Sequence, residues 1–176
     1  MKHTAFLGLI LGIIFMSTSC DSKKNAGEAS DQDTTKTVSA GKYCNELNGF
    51  CISYPSDLLF PDEILDEGNG QKFKSENGLA ELRIFLDKRI TPVEGEAINL
   101  QPIFDEDTAY KGGFDITYKT FATTSYTIMG IQSGQLISYQ KTVISNGKVV
   151  TAILRYMGSE KETYDALIEP LFKSLK

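Results

Sequence analysis

An α+β domain, a twisted antiparallel sheet flanked by helices and closed by a C-terminal helix, is predicted for residues 42–176 by three observations. Two β-rich runs flank an Asn-Gly pair at Asn146-Gly147. Several more short β-rich runs precede them. The chain then ends on apolar residues at helical spacing. Consecutive strands joined by short turns, followed by a helix, define this class.

Taken in order, Phe50–Tyr54, Gln71–Ser75 and Glu81–Leu86 read as strands, separated by Pro, Asn and Gly punctuation. A weaker helix is expected over Pro102–Lys111. Pro102 is a permitted first-turn residue and Gly112 a stop. Phe114–Phe121 and Thr124–Ile131 read as two more strands, with Gln132-Ser133-Gly134 turning into the hairpin.

The hairpin is the strongest local signal, because both central positions of its turn want positive φ. With Asn146-Gly147 as the turn, Ile144 faces Val149, Val143 faces Val150, Tyr139 faces Leu154 and Ile137 faces Tyr156. One face then carries Ile137, Tyr139, Val143, Val150, Ala152, Leu154 and Tyr156, a core face. Lys141 falls on that face too. Two readings are open: the stem snorkels to water, or the ammonium pairs with a carboxylate beside a binding cleft that Tyr139 would share.

The closing helix has Tyr164, Leu167, Ile168, Leu171 and Leu175 on one stripe. Ser159 and Glu162 match a capping box. Pro170 should kink the helix or end its regular part.

The first 41 residues are a different material. Met1-Lys2-His3 is basic, Ala5 to Met16 is uncharged and apolar, and Ser17-Thr18-Ser19-Cys20 follows. That order describes a secretory signal peptide, and an apolar run this short falls below the roughly 20 residues a spanning helix needs. The cleavage region resembles a bacterial lipobox, with Ser17 where Leu is commonest. The resemblance implies that residues 1–19 are removed and that Cys20 carries acyl chains, a membrane anchor. Asp21 leaves the inner membrane open, with the outer favoured. Residues 20–41 hold one large aliphatic, Val38, and no aromatic. They form a disordered tether whose coil length is roughly 25 Å, from about 5–6 Å times the square root of its length.

In residues 42–176, 14 Lys and Arg stand against 19 Asp and Glu. An acidic domain without a basic stripe is unsuited to nucleic acid, whose phosphates need clustered cations. The single His is His3, inside the signal peptide. The mature chain therefore has no Ser-His or Cys-His dyad and no His-containing zinc site. Neither catalytic residues, metal ligands nor cofactors are assigned.

Several landmarks then recur in order: Phe50–Pro55 (FCISYP), Ser56-Asp57-Leu58-Leu59, Gly68 to Phe73, the turn Ser75–Gly78 and Ala80-Glu81-Leu82-Arg83-Ile84. Ile116-Thr117-Tyr118-Lys119, Tyr139-Gln140-Lys141, Tyr156 and Lys173-Ser174-Leu175 complete them. Together they are similar to small bacterial envelope domains with the PsbP-like α/β/α sandwich fold, named for an extrinsic subunit of photosystem II. The resemblance covers most of 50–176, and residues 87–113 depart from it by an insertion. The fold also occurs in a Ran-binding nuclear protein, so the resemblance implies binding rather than catalysis.

With Cys20 lipidated, Cys44 and Cys51 form an even pair in an oxidising compartment and read as a disulfide. A redox pair is the lesser reading, because the spacing is not C-x-x-C. Ser145 to Lys148 and Ser39 to Lys42 match S-x-x-K. That chemistry needs the Ser at a helix start, whereas one match brackets a turn and the other lies in the tether. Acidic groups at Asp62-Glu63, Asp66-Glu67, Glu94, Glu96 and Asp105-Glu106-Asp107 read as solvated surface, with Ca²⁺ near Gly68-Asn69-Gly70 as the alternative.

The expectation is a non-catalytic, monomeric, membrane-tethered envelope lipoprotein that binds an envelope protein. A carrier of a small ligand or Ca²⁺ is the alternative, and a carboxylate-based hydrolase a remote one.

Overall fold

The computed structural model describes residues 38–109 and 113–176. The Cys20 and Asp21 readings, and the Gly112 stop, lie outside the described residues.

Among the described residues, nine strands and two α-helices run in the order β1 (Ala40–Asn45), β2 (Phe50–Pro55), β3 (Phe60–Leu65), β4 (Gly70–Lys74), β5 (Ala80–Leu86), α1 (Gln101–Thr108), β6 (Phe114–Ala122), β7 (Ser125–Gln132), β8 (Leu136–Ser145), β9 (Lys148–Met157) and α2 (Lys161–Lys173). β1 and β2 form a separate hairpin. The other seven make one antiparallel sheet, ordered β3-β4-β5-β9-β8-β7-β6. This is the α+β architecture expected from sequence.

The β8–β9 hairpin has the predicted register, with Ser145 opposite Lys148, Tyr139 opposite Leu154 and Ile137 opposite Tyr156. Asn146 and Gly147 take φ of 49° and 70°, the paired left-handed geometry of a two-residue turn. β9 is central, and side chains alternate across the sheet, so the sheet has two distinct faces. Val150, Ala152, Leu154 and Tyr156 of β9 join Leu82 and Ile84 of β5 under α2 and the β1–β2 hairpin. Tyr164, Leu171 and Phe172 of α2 close that core, with Phe50, Ile52 and Leu59 beside them. On the opposite face Val149, Tyr126 and Ile128 pack against Leu100 and Ile103 at α1, a second and smaller core.

Four expectations are corrected. β1 takes in Ala40 and Gly41, which the sequence reading placed in the tether. Its pairing with β2 is long-range information that a polar run such as AGKYCN does not display. β3 was not expected. It is almost wholly exposed, carries Pro61 and acids, and has no apolar alternation to announce it. The capping box is not formed. Gly158–Glu160 is a 3-10 turn that leads straight into α2, with Lys161 N–H donating to the Gly158 carbonyl, so Ser159 lies inside the turn and no side chain caps the helix. Finally, α1 ends at Thr108, short of Lys111, where the Thr108 hydroxyl donates back to the Phe104 carbonyl at 2.8 Å. Pro170 sits inside α2 on its exposed side, and the helix continues to Lys173.

Cys44 and Cys51 face each other across β1 and β2 and are disulfide-bonded. β2 is held on its other edge by Lys176, whose N–H and C=O pair with the C=O and N–H of Cys51. The Ser174 hydroxyl accepts from Ser53 N–H at 2.8 Å. The hairpin is thus fastened to the end of α2.

Replacing both cysteines by Ala should lower stability by about 2–3 kcal/mol, the loop-closure value for so short a ring. Urea unfolding with and without reductant checks it. A wild type indifferent to reductant would show that the bridge contributes nothing.

Candidate functional site

The face away from α2 gathers polar groups that the other face lacks. The chain has three arginines, Arg83, Arg89 and Arg155. Two stand on this face of β5 and β9, and the third follows the end of β5.

Arg89 is the hub. Its Nε and Nη2 donate to Asp87, the latter at 2.5 Å, and its Nη1 donates to Asp107 in the last turn of α1 at 2.5 Å. Glu106 Oε2 lies 3.5 Å from the same guanidinium. Asp87 is 4% exposed and is also reached by the Thr151 hydroxyl, itself bonded to Thr142 at 2.8 Å. Asp107 Oδ2 further accepts from the Tyr126 hydroxyl at 2.5 Å and from Gln140 Nε2 at 2.6 Å. Burial presses the Asp87 carboxyl upward, but the hydrogen bonds and charge of Arg89 outweigh it and hold it below its ordinary value. Burial first, and then Asp107, push the Tyr126 phenol up. Through these bonds the groups form a clamp that fastens α1 to the sheet.

Beside the clamp lies a cavity of about 180 Å³. Arg155, Ser138, Gly130 and Gln140 come from the sheet, Phe114 and Ile116 from β6, and Glu106 and Asp107 from α1. The register puts Glu81, Arg155, Ser138, Gly130 and Ile116 in one row across five strands. The small residues at 138 and 130 leave a trough. Phe114 leans over it, its ring centroid 5.4 Å from the Arg155 guanidinium carbon. Gly130 makes this approach feasible, since a Cβ there would stand 3.3 Å from that of Phe114 and 3.1 Å from the Asp115 carbonyl. A larger groove of about 730 Å³ at the start of α2 is lined by Asp57, Glu76, Glu160 and Glu162 among others. It offers acids and no cation.

The residues singled out from sequence are used differently. Lys141 Nζ donates to the Phe172 carbonyl at 3.0 Å, in the last turn of α2. Helix ends leave carbonyls without intrahelical donors and carry partial negative charge. The partner is therefore a backbone carbonyl, in place of the water or carboxylate expected. Tyr139 packs its ring on Phe172, centroids 4.7 Å apart. Both residues seat α2. Asp62 and Glu63 pair with Lys72. Among the described residues no group of three or more acidic, His or Cys side chains gathers to hold a metal. Arg155 was missed because the hairpin was judged by its core face. The available signal was one arginine in the apolar run VVTAILRY, opposite Ser138.

No family model matches this chain, and no curated protein matches it. Solved structures do. The cyanobacterial PsbP (CyanoP) of Synechocystis sp. PCC 6803 superposes with a TM-score of 0.56 at 12% identity, over 81% of this chain and 94% of that one. The Ran-binding protein Mog1p of Saccharomyces cerevisiae superposes at 0.52 and 10% identity, over 80% and 96%. The fold is therefore PsbP/Mog1-like.

Arg89→Leu should cost about 3 kcal/mol, the scale for stranding a buried carboxylate without its partner. The Asp87→Asn, Arg89→Leu pair should cost less than Arg89→Leu alone, and chemical denaturation of the three proteins reads this. Because the folded Asp87 pKa is depressed, its contribution is complete above the unfolded value of about 4 and is lost as pH falls below it. Asp87→Asn should flatten that acid limb. An unchanged limb would mean other carboxylates set it.

Proposed function

We propose that this domain is a non-catalytic protein-binding module, tethered at the cell envelope by a lipid on Cys20, and that it takes an extended segment of its partner along β6. The observation that carries the reading is the edge of the sheet at β6, which no further strand pairs among the described residues. β6 is the outermost strand, and Ile116, Tyr118 and Phe121 are exposed on it, Tyr118 by 51%. A sheet edge with apolar side chains is a template for strand addition, in which backbone bonds supply affinity and alternate side chains supply specificity.

The opposite edge, β3, also exposes apolar side chains, Phe60 and Ile64, but its backbone is interrupted. It contains Pro61, which has no N–H to donate, and its acids are neutralised by Lys72 and Lys74. On β6 the register shift between Ile116 and Tyr118 and the charge of Lys119 limit indiscriminate pairing while leaving the run 118–122 open. The yeast neighbour is a Ran-binding protein, an instance of this scaffold serving as a binding surface.

The composition of residues 21–37, polar and without an aromatic, supports the envelope reading. Among the described residues no helix is long and apolar enough to cross a membrane. The lipobox-like run Ser17-Thr18-Ser19-Cys20 is what supports attachment by an acyl chain.

A photo-crosslinking residue placed at Tyr118 should capture one envelope protein in cells, whereas the same residue at Lys173 on exposed α2 should not. Capture from both positions, or from Lys173 alone, would remove β6 as the docking edge. In the same cells Cys20→Ala should move the domain out of the membrane fraction, and its retention there would remove the lipid anchor.

A further inference from the structure

The Arg155 cavity has the makings of a ligand site beside the β6 edge, from which it takes Phe114 and Ile116. Arg155 sits in the central strand, where a cation needs a counter-charge. Its Nε is buried with no hydrogen-bond partner, and among the described residues it makes no ion pair. Each carboxylate near it is engaged elsewhere. Glu81 Oε1 accepts from Arg83 Nε at 2.7 Å. Asp107 is held by Arg89, Tyr126 and Gln140. Glu106 faces Arg89. The aromatic face of Phe114 covers the guanidinium without satisfying its donors. The other two arginines of the chain are both ion-paired.

We infer that this cavity is a receptor for a single carboxylate group, bound by the Arg155 guanidinium and the Ser138 hydroxyl beneath Phe114. A guanidinium presents its donors in a planar fork that matches a carboxylate, which is why arginine is the residue for such recognition. Burial, and then the neighbouring Arg83 charge, push the Arg155 guanidinium down from its ordinary value, with Glu81 opposing. Size limits the ligand. A volume of about 180 Å³ admits a carboxylate and a short chain. Charge limits it further, because the α1 wall is acidic. A second negative group would face Glu106 and Asp107, so monoanions are selected over dianions. The same chemistry is offered by a free small acid and by the C-terminus of a peptide.

The chain carries three arginines, so three Nε–H signals are expected in a ¹⁵N spectrum. Arg155→Lys identifies the one that matters. Acetate, added at constant ionic strength, should shift the Arg155 signal saturably with a Kd of about 1 mM or weaker, the range of one charge-assisted contact. The Arg83 and Arg89 signals should stay in place. Malonate should bind about tenfold more weakly than acetate. Ser138→Val, which fills the trough with a residue suited to a strand, should abolish the saturable shift while leaving the remaining amide spectrum folded. Acetyl-Ala-Ala with a free terminus, compared with its amide, separates the two sources. If the acid binds tighter than acetate and the amide does not bind, the ligand is a chain terminus. If acetate binds as well or better, it is a small free acid. An Arg155 signal that acetate moves no more than chloride does, or malonate binding as tightly as acetate, overturns the assignment.

Discussion

The burial of β9 on both faces governs the rest of this structure. Val150, Ala152, Leu154 and Tyr156 have no exposed surface on one side, and Val149 and Thr151 have almost none on the other. A strand in that position needs cover above and below, and the chain supplies it with unequal materials. α2 and the disulfide-linked hairpin bring an apolar layer to one face. α1 and the segment before it bring only a short apolar contact to the other, supplemented by ionic bonds. The larger core sets stability by area. The smaller layer relies on geometry, so it is the side on which a polar cavity can exist.

That asymmetry explains where chemistry collects. Apolar cover excludes polar groups unless they are fully bonded, which is why Lys141 on the α2 side is matched to a helix-end carbonyl. On the α1 side the cover is incomplete beyond Asp107, and the sheet surface there carries Ser138, Gln140, Arg83 and Arg155. The Arg89 clamp stiffens the boundary between covered and uncovered sheet. It gives the cavity a fixed acidic wall.

The β8–β9 pairing was legible residue by residue, because Asn146-Gly147 fixes the register and a slip of one position would turn every apolar side chain outward. The fold class followed from it and from the stripe on α2. β1 and β3 were not legible. Their pairing partners define them, and neither displays an apolar alternation of its own. The Asp87–Arg89–Asp107 clamp was invisible for a related reason. Asp87 and Arg89 sit near one another in sequence, but Asp107, Tyr126 and Gln140 reach them only through the sheet and the placement of α1. The Arg155 cavity needed both the pairing register and the knowledge of which face α2 covers. Once the hairpin is paired, the row Glu81, Arg155, Ser138, Gly130 can be read off directly.

The strand order has a kinetic meaning. β3, β4 and β5 follow one another in space as in sequence, and so do β6, β7, β8 and β9. Each group can therefore assemble by local zippering, one turn at a time. The seam between β5 and β9 is different, since Ala80 meets Tyr156 and Leu86 meets Val150 across the whole intervening chain. Closing that seam carries the main loop-entropy cost of the large sheet. Because the sheet residues that line the cavity, Phe114, Ile116, Gly130, Ser138, Gln140 and Arg155, all lie on β6 to β9, that trough belongs to one locally connected group and does not depend on the seam.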